Sequence, residues 1–360
     1  ASRTLIIGTA GGEFTVTGGG DNNAITPTNI MIKKQSNHGA ANIDAVAVAN
    51  ATLFVQRAKR KIRELAYNFD VDGYTAPDLT ILAEHVTEGG IIEMAYQEEP
   101  LAIIWCVRND GELVALTYQR EQQVVAWHRH VFAGAFGSGN AVCESVAVIP
   151  TEDSEYELYM IIKRTINGAT KRYVEFLNTF DFDESDNTSF NFLDSQLSYS
   201  GSSATTISGL SHLEGQEVSI LADGATHPNK TVSSGSITLD RAATKVKVGL
   251  GYTSLLKTMR IDAGAQNGTS QAKTKRIYEV TARLYESVGV EIGPDLNNME
   301  RVPFRTSSDP MDQGIPPFTG DKEVEFRGDY DTDGFMIVRQ TQPLPLTILS
   351  LYPRLVTNDG

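Results

Sequence analysis

Four stretches of the chain repeat one pattern at intervals of about 50 residues: an apolar strand, a polar or glycine-containing reversal, then a second strand. They are Thr4 to Phe14, Thr52 to Leu65, Ala102 to Leu113, and Glu157 to Phe176. The period is that of propeller blades, each a small four-stranded antiparallel sheet, and not that of helical repeats. Such a repeat predicts a scaffold, whose function lies in assembly and surface before chemistry.

The third repeat is the clearest. Strands are expected over 91–97, 101–107, 112–118 and 123–130, with a turn at Glu98-Glu99-Pro100. Asn109-Asp110-Gly111 supplies the residues that tolerate positive φ, as a tight hairpin requires. Asn167-Gly168 is the same signal in the fourth repeat. Between blades, Pro77 to Val86 opens with a proline and an acidic first turn and places Leu79, Leu82, Ala83 and Val86 on one face. That predicts a short helix.

After Leu177 the pattern changes. Asn178 to Ser189, with Asp181, Asp183, Glu184 and Asp186, reads as a linker or exposed loop. Short strands are expected at 217–221, 236–239 and 245–250, punctuated by Asp223-Gly224 and Ser234-Gly235, which suggests a small barrel or sandwich. Ala263 to Lys275 lacks periodicity and reads as a mobile loop. Strand alternation returns at Arg276 to Tyr285. Asn297 to Gly320 is proline-rich and irregular, and the last strands fall at 323–327, 335–338 and 344–351. The expected fold is therefore mainly β: a partial β-propeller over 1–178, a small β module over 179–262, and a C-terminal β segment with long loops over 263–360.

Composition limits the function classes. The chain has 360 residues, 41% hydrophobic and 21% charged, enough for two or three domains with a sizeable core. No apolar run approaches the roughly 18–20 residues that span a bilayer. The sequence starts Ala1-Ser2-Arg3 and runs straight into a strand, with neither signal peptide nor initiator Met, so it is expected to begin inside a longer polypeptide's propeller. Cys106 and Cys143 lie in expected strands and read as buried thiols that pack as small hydrophobes. The net charge of −14 is spread over both halves, 15 basic against 21 acidic residues in 1–178 and 16 against 24 beyond. A protein that grips nucleic acid carries a basic footprint. An acidic surface instead suits a neighbour of DNA that denies the phosphates a binding surface.

Arg57, Lys59, Arg60, Lys61 and Arg63 place five basic residues within seven positions. They are candidates for contact with nucleic acid or a partner, or a solvated hairpin end. Asp329-Tyr330-Asp331-Thr332-Asp333-Gly334 matches the opening of a calcium loop, but Gln340 stands where a bidentate Glu belongs, and a polar turn is the expectation. His128 and His130 lie two apart on a strand and share a face, as a metal pair would, and are expected beside Trp127. Gly8 to Gly12 is a hairpin turn rather than a dinucleotide fingerprint. No motif for nucleophilic, metallopeptidase or phosphate-loop chemistry is present, so no catalytic residue, metal or cofactor is expected.

The segments Leu5 to Phe14, Leu53 to Arg57, Ile104 to Leu113 with Leu116 to Tyr118, and Val124 to His130 resemble the propeller part of tail nozzle proteins, the tail tubular protein B family of short-tailed bacteriophages and prophages. Leu210 to Gly224 with Val248 to Leu250 resembles the β module that follows in those proteins. The resemblance implies a non-enzymatic virion protein, folded in the bacterial host cytoplasm. It would form a hexameric ring at the distal end of the tail, joined to a tail adaptor protein, with DNA passing transiently through the lumen and the host cell surface as a further contact. It implies no small-molecule substrate. The chain is short for that family, lacking an N-terminal part. The alternative is a host-surface glycan-binding or polysaccharide-degrading tail protein, which would need exposed aromatics beside two carboxylates about 5–10 Å apart.

Overall fold

Short apolar runs broken by residues that tolerate positive φ leave antiparallel pairing as the way to satisfy the backbone. The computed structural model describes residues 4–19, 24–152, 155–180, 182–183, 186–262, 264–265, 268–310 and 313–358. Among them 57% lie in strands and 2% in helix, the latter as single 3-10 turns. The chain divides into two compact units, Ala1–Thr165 with Thr170–Asn178, and Ile166–Ala169 with Thr179–Gly360.

The first unit holds four small antiparallel sheets in chain order. The first is β1 (Leu5–Thr9), β2 (Gly12–Gly18) and β3 (Ile30–Ser36). The second is the meander β4 (Val46–Val48), β5 (Ala51–Val55), β6 (Ile62–Asn68) and β7 (Gly73–Thr75). The third is β8 (Ile91–Gln97), β9 (Ile103–Arg108), β10 (Leu113–Gln119) and β11 (Val124–His130), matching the expected strands to within two residues. After the ribbon β12 (Ala135–Phe136) and β13 (Gly139–Asn140) comes the fourth, β14 (Val142–Pro150), β15 (Tyr156–Ile166) and β16 (Ala169–Phe176). Asn167 and Gly168 both have positive φ, as the two-residue hairpin joining β15 to β16 demands.

Side-chain alternation turns the third sheet into a two-faced core. Ile104, Cys106, Val114 and Leu116 pack with Leu53, Val55 and Ile62 of the second sheet. On the opposite face, Trp105, Val107, Leu113 and Ala115 pack with Cys143, Leu158, Met160 and Ile162 of the fourth. Both thiols are free and buried as expected, and burial pushes Cys143 up to about 12.

Residues 77–90 are not a helix. Asp78 accepts from the Thr80 amide at 2.9 Å and from its hydroxyl at 2.5 Å, while the Leu79 amide donates to Ile62 of β6. The Asp78 contact is the cap a helix start would make, yet the chain continues in i→i+3 turns, Ala83 to Thr80 and Val86 to Ala83, rather than in i→i+4 bonds. Ala83 and Val86 are buried, but Leu82 is 93% exposed. A helix this short is marginal on its own.

In the second unit, β17 (Asp194–Ser208), β18 (Glu217–Ala222), β19 (Ala225–Thr231) and β20 (Ser236–Leu250) form one sheet in the order β17-β20-β18-β19. The segments expected at 236–239 and 245–250 are one continuous strand. Next come β21 (Ser254–Lys257), a ribbon of β22 (Gly264–Ala265) and β23 (Gly268–Thr269), β24 (Thr274–Ser287), β25 (Glu291–Gly293), β26 (Glu300–Arg301), β27 (Phe318–Glu325), β28 (Ile337–Gln340) and β29 (Thr347–Asn358). They make the sheets β27-β24-β29 and β21-β28-β25-β26. Their core of Val280, Ala282, Leu284, Ile292 and Val338 also takes in Phe190 and Leu221. Among the described residues every sheet is open, and the sheets close into neither a barrel nor a propeller.

Two expected loops are tied down. The acidic stretch before Ser189, of which Asp181, Glu184 and Ser185 lie outside the described residues, borders an aromatic cluster: Phe182 meets Phe190 edge-on at 5.2 Å and Phe192 at 5.9 Å. Asp186 caps a 3-10 turn, and the Thr188 hydroxyl and Lys245 hold its carboxyl at about 2. In the expected loop 263–275, of which Ala263, Gln266 and Asn267 lie outside the described residues, residues 264–265 pair with 268–269, and Lys275 is 1% exposed.

Candidate functional site

The five basic residues Arg57, Lys59, Arg60, Lys61 and Arg63 sit on the hairpin joining β5 to β6, and the fold spends several of them internally. Arg63 donates to the Gln56 side chain at 2.8 Å and to the Ala76 carbonyl at 2.6 Å. Lys61 bonds Asp78 and Glu84, each at 2.8 Å, and both carboxylates raise its pKa. Arg57 reaches back to the Ala10 carbonyl at 3.2 Å. Lys59 takes a left-handed φ of 64°, and its carbonyl accepts from Ile91, while the Arg60 carbonyl accepts from the Thr87 hydroxyl. Arg57, Lys59 and Arg60 remain exposed, so the outward charge is three residues rather than five.

His128 and His130 do share a face, with Nδ1 of the first 2.7 Å from Nε2 of the second. Their neighbour is Trp105, whose ring lies 5.0 Å from His130, and not Trp127, whose indole donates to the Leu79 carbonyl. The register explains the difference: Trp105 pairs with Ala115, which pairs with His128, so the three lie on one face. Burial, with His128 second, lowers the His130 pKa to about 4. Thr117 Oγ1 lies 3.1 Å from the other nitrogen of His128. The pair forms a polar chain within the sheet. No group of three or more metal-ligating side chains exists among the described residues.

The Asp329–Gly334 turn does not converge on a cation. Asp331 exchanges backbone hydrogen bonds with Lys275, and Asp333 pairs with Arg260 at 3.5 Å. Gln340 donates to the Val288 carbonyl at 2.6 Å.

Two surfaces stand out at the ends of the first unit's sheet series. Leu5, Val16 and Ile32 are partners across β1, β2 and β3, as are Ile7 and Phe14, and so share one face. Leu5, Ile7, Ile30 and Ile32 on that face are exposed, while Val16 between them is buried. On the fourth sheet, Tyr159 packs against Phe176, and Ile161, Val174 and Phe176 are exposed while Leu158, Met160 and Ile162 face the core. Ordinary monomer surfaces carry scattered apolar residues, whereas contiguous ones mark contact sites.

In the second unit, a cavity of about 580 Å³ opens between the β18–β19 hairpin, the start of β20 and the loop before β27. Its walls come from residues 224–228, 240–241, 288–289, 301–305, 313–315, 342 and 344, so no local motif could have revealed it. No protein-family model matches the chain, and no curated protein matches it.

Proposed function

We propose that the chain is a non-enzymatic structural subunit of a bacteriophage tail nozzle, its four small sheets being consecutive blades of a larger propeller. Through the ring it builds, DNA leaves the virion. The observation that carries this reading is the pair of apolar end faces, Leu5–Ile7–Ile30–Ile32 and Ile161–Val174–Phe176, on a series whose inner sheets bury just such faces against each other. An exposed sheet face of this kind is stabilised by covering it with a further sheet, whether from a longer chain or a neighbouring copy. The net charge of −14 supports the second half of the reading, because an acidic wall gives phosphates nothing to hold. The partners on this reading are further copies in a hexameric ring, the tail adaptor protein above it and, transiently, DNA. The exposed Arg57, Lys59 and Arg60 then meet DNA or a neighbouring tail protein.

Sedimentation and electron microscopy of the purified protein test this. Ring-shaped oligomers are expected, with Ile32→Asp or Phe176→Asp shifting the population to monomer while the fold persists. Protein that stays monomeric at every concentration, together with labelled antibody that misses the tail tip of virions, would sink it.

A further inference from the structure

The cavity of the second unit has a composition unlike the rest of the chain. Three arginines line it, Arg241, Arg301 and Arg305, against a single carboxylate, Asp240, in a protein of net charge −14. Asp240 is already engaged, by Lys230 at 2.5 Å. Arg305 donates to the Pro310 and Gln313 carbonyls and lies near the Asp309 carboxylate, while Arg241 donates to the Ala222 carbonyl at 3.3 Å and lies near Asp223, so both are already held within the fold. Arg301 is exposed, and among the described residues its side chain makes no ion pair or hydrogen bond. Cations gathered in a concavity with apolar walls focus positive potential there, and that potential attracts anions.

The walls are held in place. Asn187 donates to the Ile315 carbonyl at 3.0 Å. A Cβ on Gly314 would stand 2.2 Å from the Gly224 carbonyl oxygen, so the loop wall and the hairpin wall touch through bare backbone. The remaining lining is mixed: Pro228, Pro303 and Leu344 offer apolar surface, while Gln313 and Gln342 are amide-bearing residues. A space of about 580 Å³ with apolar patches, neutral hydrogen-bonding groups and a cationic corner has the size and make-up of a small-molecule site.

We infer that this cavity binds an acidic sugar, its C–H face on the prolines and Leu344, its hydroxyls on the glutamines, and its carboxylate on Arg301. A guanidinium suits a carboxylate because its planar fork can donate two parallel hydrogen bonds. The inference is independent of whether the first unit assembles into a ring.

Calorimetric titration of the whole chain with a glucuronate-containing disaccharide, its neutral glucose counterpart and inorganic phosphate tests the assignment. The acidic disaccharide should bind at least tenfold more tightly than the neutral one. Arg301→Gln should weaken it by tenfold or more with the melting temperature unchanged, since that side chain holds nothing in the fold, and Arg301→Lys should retain part of the affinity. The assignment is overturned if the acidic disaccharide does not bind, if the neutral sugar or phosphate alone binds as tightly, or if Arg301→Gln binds like the parent.

Discussion

Arg164 and Glu175 face each other across β15 and β16, both guanidinium Nη atoms donating to the carboxylate, with Nη2 to Oε2 at 3.0 Å. The arginine is fully buried, and its Nε also donates to the Ala133 carbonyl at 2.8 Å, so strand pair and preceding loop are joined at one charge. Removing one partner leaves the other charge buried and unmatched, which costs about 3–5 kcal/mol. Glu175→Gln should therefore unfold at markedly lower urea. The double change Arg164→Leu with Glu175→Leu should cost less than either single change. Equal midpoints for Glu175→Gln and the parent would refute the coupling.

The His128–His130 contact makes stability depend on pH in one direction. The His130 pKa falls to about 4 in the fold and is near 6.5 in the unfolded chain, so between these values the unfolded state holds the extra proton. Stability from this ring is complete above pH 6.5 and is lost as pH falls toward 4. The loss is on the order of 2 kcal/mol by pH 4.5. Urea titrations between pH 4.5 and 7.5 should show a shallower slope for His130→Gln than for the parent, and parallel slopes would contradict the assignment.

Gly111 closes the β9–β10 turn at φ +83°, and a Cβ there would lie 2.2 Å from Val142 Cγ1. Gly111→Ala thus meets both backbone strain and a clash, together about 2–4 kcal/mol. Adding Val142→Ala should recover the steric part only. A double variant as stable as Val142→Ala alone would show that φ carries no strain.

Calcium should leave the melting temperature unchanged. Its would-be loop pairs Asp333 with Arg260 and turns the Gln340 amide to the Val288 carbonyl. A shift of several degrees at millimolar calcium, reversed by chelator, would require the carboxylates to converge as they do not here.

What was legible in the chain was what local chemistry dictates. Asn167-Gly168, Asp223-Gly224 and Ser234-Gly235 all adopt positive φ at both positions, because a tight reversal between twisted strands demands it. The central strands β9 and β10 of the third sheet were equally plain, since strands buried on both faces read as unbroken apolar runs. β17 left no such trace: its Ser and Thr residues face solvent for most of its length, and pairing with β20, not burial, holds it. The helix expected at Pro77 to Val86 failed for a different reason. Its start signals were present and Asp78 does cap the Thr80 amide, but so short a segment does not propagate a helix and settles into i→i+3 turns.

The candidate sites divide the same way. Adjacency in sequence placed five cations on one hairpin, yet only the folded surroundings turned Lys61 toward Asp78 and Glu84 and Arg63 toward Gln56 and Ala76. The acidic balance and the strand-turn-strand repeat belong to the sequence alone, because net charge is a sum and hairpins are short-range. The Trp105–His130 contact, the two apolar end faces and the arginine-lined cavity required the tertiary structure. The first two depend on strand register and the cavity on segments more than 100 residues apart, where chain connectivity says nothing about which side chains meet.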